Sequence, residues 1–152
     1  MSISRANLRF FLSVDGLGGP ITSVSAEKLF PNVKGVEAEK GMTDYACFYF
    51  ANLDDDPDGF LDPHLWFESN SGVTLGLDPG GKNALAQTIA SRFDAPVGVV
   101  FSEPQSELSS IWLSGEPYLQ NDKIAIWAKR VVPKGAPIGD EGFRVKVRGE
   151  SY

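Results

Sequence analysis

The chain has 152 residues, a length that suits one domain, and its 42% hydrophobic and 22% charged residues exclude a disordered polypeptide. A net charge of −6 argues against a nucleic-acid backbone or an anionic membrane as the main partner, because both need clustered cations. The lone cysteine, Cys47, excludes an internal disulfide and a cysteine-based zinc site.

Met1 to Asn7 is polar and unpatterned, without the apolar core of a signal peptide, and it reads as an extended N-terminal arm, residues 1–7. No stretch approaches the ~20 apolar residues of a membrane span, so the expectation is a protein made in a cytoplasm. From Leu8 to Val14 the apolar residues Leu8, Phe10, Leu12 and Val14 alternate with Arg9, Phe11 and Ser13, which predicts a strand. Gly16, Gly18, Gly19 and Pro20 turn the chain, and 21–24 is a short return strand. Residues 26–44 are polar and broken by Pro31, Gly35 and Gly41; they read as loop, although 37–40 has the makings of a helical turn.

Residues 45–52, Tyr-Ala-Cys-Phe-Tyr-Phe-Ala-Asn, form the strongest strand signal. Aromatic residues on both of its faces predict a central position in a sheet. Residues 64–68 and 73–77 read as two paired strands joined through 69–72 and closed by Asp78-Pro79-Gly80-Gly81. Residues 84–90 are balanced between a short helix and a strand. Short strands follow at 97–101 and 110–113. A long alternating strand spans 123–132, and a final half-buried strand carries Phe143, Val145 and Val147 between Arg144, Lys146 and Arg148. Seven to nine short strands with turn signals between them predict an all-β chain, a single β-sandwich or jelly-roll-like domain over 1–152 with at most one short helix.

Four places could carry chemistry. Asp54, Asp56 and Asp58, followed by Gly59 and Asp62, match the first part of a calcium loop, where odd-spaced carboxylates converge on a hard cation. Leu65 stands where the bidentate Glu is required, so an acidic hairpin tip is the simpler reading and no metal or other cofactor is expected. His64 is the single histidine, and no serine lies in a Gly-x-Ser-x-Gly elbow, so a nucleophilic mechanism is not expected. The many acidic residues leave a carboxylate pair formally open, with nothing to mark one pair above another. Gly16-Leu17-Gly18-Gly19 lacks the Lys-Ser/Thr ending of a phosphate loop.

Two features point to partner binding instead of catalysis. Trp112 stands among serines and could meet a sugar ring or a protein surface. Arg144, Lys146 and Arg148 form a basic ridge on an acidic chain, which suits either a complementary neighbour or an edge strand protected by charge.

Lys28-Leu29-Phe30-Pro31 with Gly35-Val36-Glu37-Ala38, Asp44-Tyr45-Ala46-Cys47-Phe48-Tyr49 leading into Asn52, Asp94-Ala95-Pro96-Val97-Gly98-Val99, and 126–135 with the alternating final strand give the chain a resemblance. Over residues 28–149 it resembles small virion structural proteins of tailed bacteriophages. The resemblance implies a non-enzymatic β-sandwich on the outside of a phage particle. Its implied role is capsid decoration (cement), with a tail or baseplate role as the alternative. The implied partners are further copies of the chain, as in a trimer, and the major capsid protein or another virion protein. A carbohydrate- or receptor-binding module is the alternative from another class. The resemblance carries no site residues, and the 54–59 segment departs from its pattern.

Overall fold

The computed structural model describes residues 5–26, 29–31, 33–69, 73–103, 110–135 and 143–150. The chain is all-β and sandwich-like, with ten strands among the described residues. They are β1 (Leu8–Ser13), β2 (Gly18–Gly19), β3 (Ile21–Ser25), β4 (Met42–Asn52), β5 (Leu61–Ser69), β6 (Val73–Lys82), β7 (Ala86–Thr88), β8 (Ile111–Trp112), β9 (Lys123–Val132) and β10 (Phe143–Glu150). One helix, α1 (Gly35–Lys40), precedes β4.

An antiparallel five-stranded sheet runs β3-β1-β4-β9-β6, and a three-stranded sheet runs β10-β5-β8. Their shared core explains the pairing. Ala46, Phe48 and Phe50 of β4, Ile124, Ile126 and Ala128 of β9, and Val73 and Leu75 of β6 occupy one face of the large sheet. They pack with Leu65 of β5, and with Phe60, Leu113 and Tyr118 from the chain around the small sheet. Period-2 alternation accounts for the whole set, since every second side chain of a strand reaches one face.

The opposite face of the large sheet is also covered. Cys47, Tyr49, Ala125 and Trp127 are buried there beneath Ala86 and Ile89, with Val99 and Phe101 packed alongside. The aromatic, two-faced β4 is therefore the central strand, as its composition predicts. The cover is pinned by polar contacts. The Tyr49 hydroxyl donates to the Gly19 carbonyl and accepts from the Ala86 amide, tying β2 and β7 to β4. Trp127 Nε1 donates to Asp78 Oδ1 at 3.0 Å. Gly18, at φ +88°, lies so close to β7 that a Cβ would fall 1.8 Å from the Gln87 carbonyl oxygen.

At one end of the inner face, Asp44 and Arg130 stand directly opposite each other in the β4–β9 register. Arg130 Nε and Nη2 each donate to an Asp44 carboxylate oxygen at 2.9 Å, a bidentate pair with both side chains buried. Arg92 also donates to Asp44, and it reaches Glu37 of α1 at 2.7 Å. Glu37 in turn accepts the Lys34 amide at 2.9 Å, capping α1. The Lys34 amide, with burial opposing and Arg92 assisting, holds the Glu37 carboxyl below its ordinary ionisation range.

Several expectations are corrected. Residues 35–40 form helix α1, because the Lys34–Glu37 cap and the ion pair to Arg92 give a short segment the tertiary support it lacks alone. For residues 84–90, where helix and strand were both open, the structure selects a strand, β7, in which Ala86 pairs with Gly19 and covers β4. β5 and β6 lie in different sheets and do not pair, and β6 runs on through an irregularity at 78–81 to Lys82. Residues 97–101 are not a strand; Ser102 alone bridges to Leu75. Val14 leaves the β1 pattern for a 3-10 turn, Val14–Gly16. Arg5–Asn7 is likewise a 3-10 turn, and Asn7 is anchored by its carbonyl to the Leu53 amide and by Nδ2 to Asp54. Residues 5–7 are therefore held on the domain, and the rest of the expected arm, residues 1–4, lies outside the described residues.

Candidate interaction surface

The outer face of the three-stranded sheet gathers residues that are far apart in sequence. In the β10–β5 register Arg148 stands opposite His64, Lys146 opposite Trp66 and Arg144 opposite Glu68. In the β5–β8 register His64 stands opposite Trp112. Residues directly opposite in an antiparallel pair share a face. Arg148, His64 and Trp112 therefore form one row across the sheet, with Lys146 and Trp66 in the next. In the alternate row Leu65 and Ile111 belong to the inner face, where Leu65 is fully buried. Of the sequence-expected partner residues, Trp112 is exposed on this sheet, and Arg144, Lys146 and Arg148 occupy the β10 register positions opposite Glu68, Trp66 and His64. β10 is also an edge strand, so the protective reading of its charges fits the same observation.

Trp112 is 48% exposed, which is unusual for so large an apolar side chain. His64 is held beside it by two polar contacts. Its Nε2 lies 3.2 Å from Asp62 Oδ1, and its Nδ1 lies 3.2 Å from Ser110 Oγ. The composition is that of a hydrolytic triad, but the setting is not. The side chains of His64 and Asp62 are 38% and 55% exposed, so water competes for every hydrogen bond that would polarise the serine. The trio orients the imidazole on an open sheet face.

The four aspartates of the calcium-loop match are used differently. Asp54 accepts the Asp56 amide through Oδ1, and Asp56 accepts the Asp58 amide through Oδ1, both at 3.0 Å. Asn52 begins the series by accepting the Asp54 amide. This ladder of side chain-to-backbone bonds winds the segment tightly and buries Asp54 and Asp56. Asp62 is engaged elsewhere, with His64, and its amide donates to Glu116. Among the described residues no group of three or more His, Cys, Asp and Glu side chains is placed to hold a metal ion. The segment is also not a hairpin tip. β4 and β5 lie in different sheets, so residues 53–60 cross from one sheet to the other.

A second exposed feature went unread in the sequence. Val97 and Val100 are 78% and 85% exposed on the covering segment. The Gln87 side chain grips both the amide and the carbonyl of Val97, at 2.8 and 2.7 Å. Apolar residues at 97–101 signal a buried strand when only period is considered, and the grip by Gln87 has no sequence signature. The buried pair Asp44–Arg130 was missed as well, although both charges sit at inward positions of their strands.

Comparison with protein-family models, with curated proteins and with solved structures found no match to this chain.

Proposed function

We propose that this chain is a non-enzymatic structural protein of a tailed-phage virion, a capsid decoration (cement) protein that binds the outer surface of the major capsid shell. The observation that carries the reading is the exposed Trp112 in register with His64 on one outer sheet face, with Trp66 two residues along β5 and the cation-bearing strand β10 paired alongside. A face with aromatic centres and charged surroundings fits protein docking, where a few buried aromatic anchors supply most of the affinity. The two-sided burial of the large sheet supports it, because a rigid body loses little entropy on docking. The resemblance of residues 28–149 to virion proteins chooses the particle as the site of action.

The test is co-sedimentation of the purified chain with capsids lacking it. The chain pellets with the shells, and Trp112→Ala lowers the bound fraction by about tenfold, the scale of a ~1.4 kcal/mol anchor. Binding to purified tails in place of shells moves the role to the tail or baseplate. Trp112 also favours a second reading, a carbohydrate-binding module, because an exposed indole beside a hydrogen-bonding imidazole suits a sugar ring. Retention on a glycan column that is lost in Trp112→Ala, with no binding to particles, decides for that reading.

A further inference from the structure

Three peptide bonds of the chain join an aspartate to a proline: Asp56–Pro57, Asp62–Pro63 and Asp78–Pro79. In such a pair the aspartate carboxylate can attack its own carbonyl carbon, because the attack closes a five-membered ring. The proline nitrogen is a tertiary amide and leaves as a secondary amine. The reaction needs a carboxylate oxygen that nothing else engages. It also needs a donor for the charge that develops on the carbonyl oxygen, and a proton for the departing nitrogen.

Asp56 meets all three needs. Its Oδ1 accepts the Asp58 amide at 3.0 Å, which fixes the carboxylate, while its Oδ2 is buried without a hydrogen-bond partner among the described residues. A carboxylate oxygen stripped of water and left unpaired is raised in free energy, and bonding to carbon relieves it. The Asp56 carbonyl oxygen accepts the Gly59 amide at 3.1 Å, so a donor stands where the oxyanion would form. Gly59 takes that place at φ +76°, where a Cβ would fall 2.9 Å from Leu119. Pro57 is exposed, so solvent reaches its nitrogen. The other two bonds lack one requirement or more. Both Asp78 oxygens are engaged, Oδ1 by Trp127 and Gln87 and Oδ2 by the Gly80 amide. The Asp62 side chain is 55% exposed and pairs with His64, so its carboxylate is solvated, and Pro63 is buried.

We infer that the folded chain cuts itself at the Asp56–Pro57 bond. Asp56 Oδ2 attacks the Asp56 carbonyl carbon; a C–O bond forms and the carbonyl π electrons move to the oxygen held by the Gly59 amide. The C–N bond then breaks, its electron pair going to the Pro57 nitrogen, which takes a proton from solvent. The products are a cyclic anhydride on Asp56 and an N-terminal Pro57. One water opens the anhydride to two carboxyl groups, and water is the sole co-reactant. The cut falls in the segment that crosses from one sheet to the other. The nicked domain holds together, because β4 stays paired with β9 and Phe50 shares one core with Phe60 and Leu65. This activity is separate from the docking role proposed above.

Intact-mass spectrometry of the purified full chain, incubated with protease inhibitors, tests it. The expected products are 1–56 and 57–152, formed at a rate independent of chain concentration. Asp62–Pro63 and Asp78–Pro79 break at least about tenfold more slowly, since one oriented donor to an oxyanion contributes about a hundredfold or more. With hydroxylamine present, 1–56 carries a hydroxamate on Asp56, the mark of an anhydride. In acid denaturant the preference vanishes and the three bonds break at similar rates. Asp56→Asn keeps an acceptor for the Asp58 amide and abolishes the cut. Pro57→Ala, at an exposed position, keeps the carboxylate and abolishes the cut as well; circular dichroism checks that both variants fold. An uncut wild-type chain, equal cutting at the three bonds of the folded chain, or a cut that persists in Pro57→Ala overturns the inference.

Discussion

Asp44 and Arg130 show how a charged pair enters the inner face of a sandwich. Each stands at an inward position, and the bidentate geometry with Arg92 and the Pro31 carbonyl satisfies the buried charges. Removing one partner leaves the other buried and unpaired, which costs about 3–5 kcal/mol. Asp44→Ala therefore lowers the thermal midpoint by roughly 6–20 °C for a domain of this size, measured by circular dichroism. Glu37 adds a pH dependence. Its folded carboxyl ionises below the ordinary value of 4.5, so its contribution is complete above about pH 4.5 and drains as pH falls through the depressed value. Glu37→Gln removes that part of the acid limb, visible as a shallower loss of stability as pH falls below about 4.5. Cys47 behaves oppositely. Burial pushes its thiol up to about 12, with the Ser13 contact opposing and Asp78 adding. Since the thiolate is the reactive form, Cys47 stays unmodified by a disulfide reagent at pH 8 in the folded chain and reacts at once in denaturant.

At the scale of elements, close approach decides what covers the large sheet. Gly76 of β6 lets the 97–102 segment lie across it; a Cβ there would meet the Val100 carbonyl oxygen at 2.5 Å and Val99 at 2.6 Å. Gly76→Ala forces that segment outward while leaving the inner core intact. The expected result is faster proteolysis within 84–102 and a loss of ~1–3 kcal/mol, read from limited digestion and urea unfolding. Wild-type rates of cleavage in Gly76→Ala would show that the segment is held from elsewhere. Helix α1 obeys the same logic. Six residues are too few to be helical alone, and the ion pair from Glu37 to Arg92 supplies what local propensity does not.

Across the whole molecule the two sheets share one core, since Phe50 and Ile124 of the large sheet pack with Phe60, Leu65 and Tyr118 beside the small one. Such a body unfolds in one step. Urea transitions followed by tryptophan fluorescence and by far-ultraviolet circular dichroism coincide. An early fluorescence change, from loosening around Trp66 and Trp112 of the small sheet, would show that this sheet melts on its own.

Much of this was legible in the sequence for a single reason: alternation is a local property. The 123–132 strand, the central place of β4, the final strand and the all-β class all follow from period 2 and from aromatic residues on both faces of one strand. Partnership between strands is not local. Whether β5 pairs with β6 or with β10 depends on which buried face each must cover, and this is decided only when both sheets close on Phe48, Phe50 and Ile126. The candidate surface divides the same way. The cations of β10 and the lone Trp112 could be singled out one at a time, but their place in neighbouring rows beside His64 required the register of three strands. The aspartates at 54, 56, 58 and 62 show the reverse. Their spacing matches a metal loop, yet backbone amides claim two of them and His64 claims the last, because a nearby donor is satisfied before a distant convergence can form.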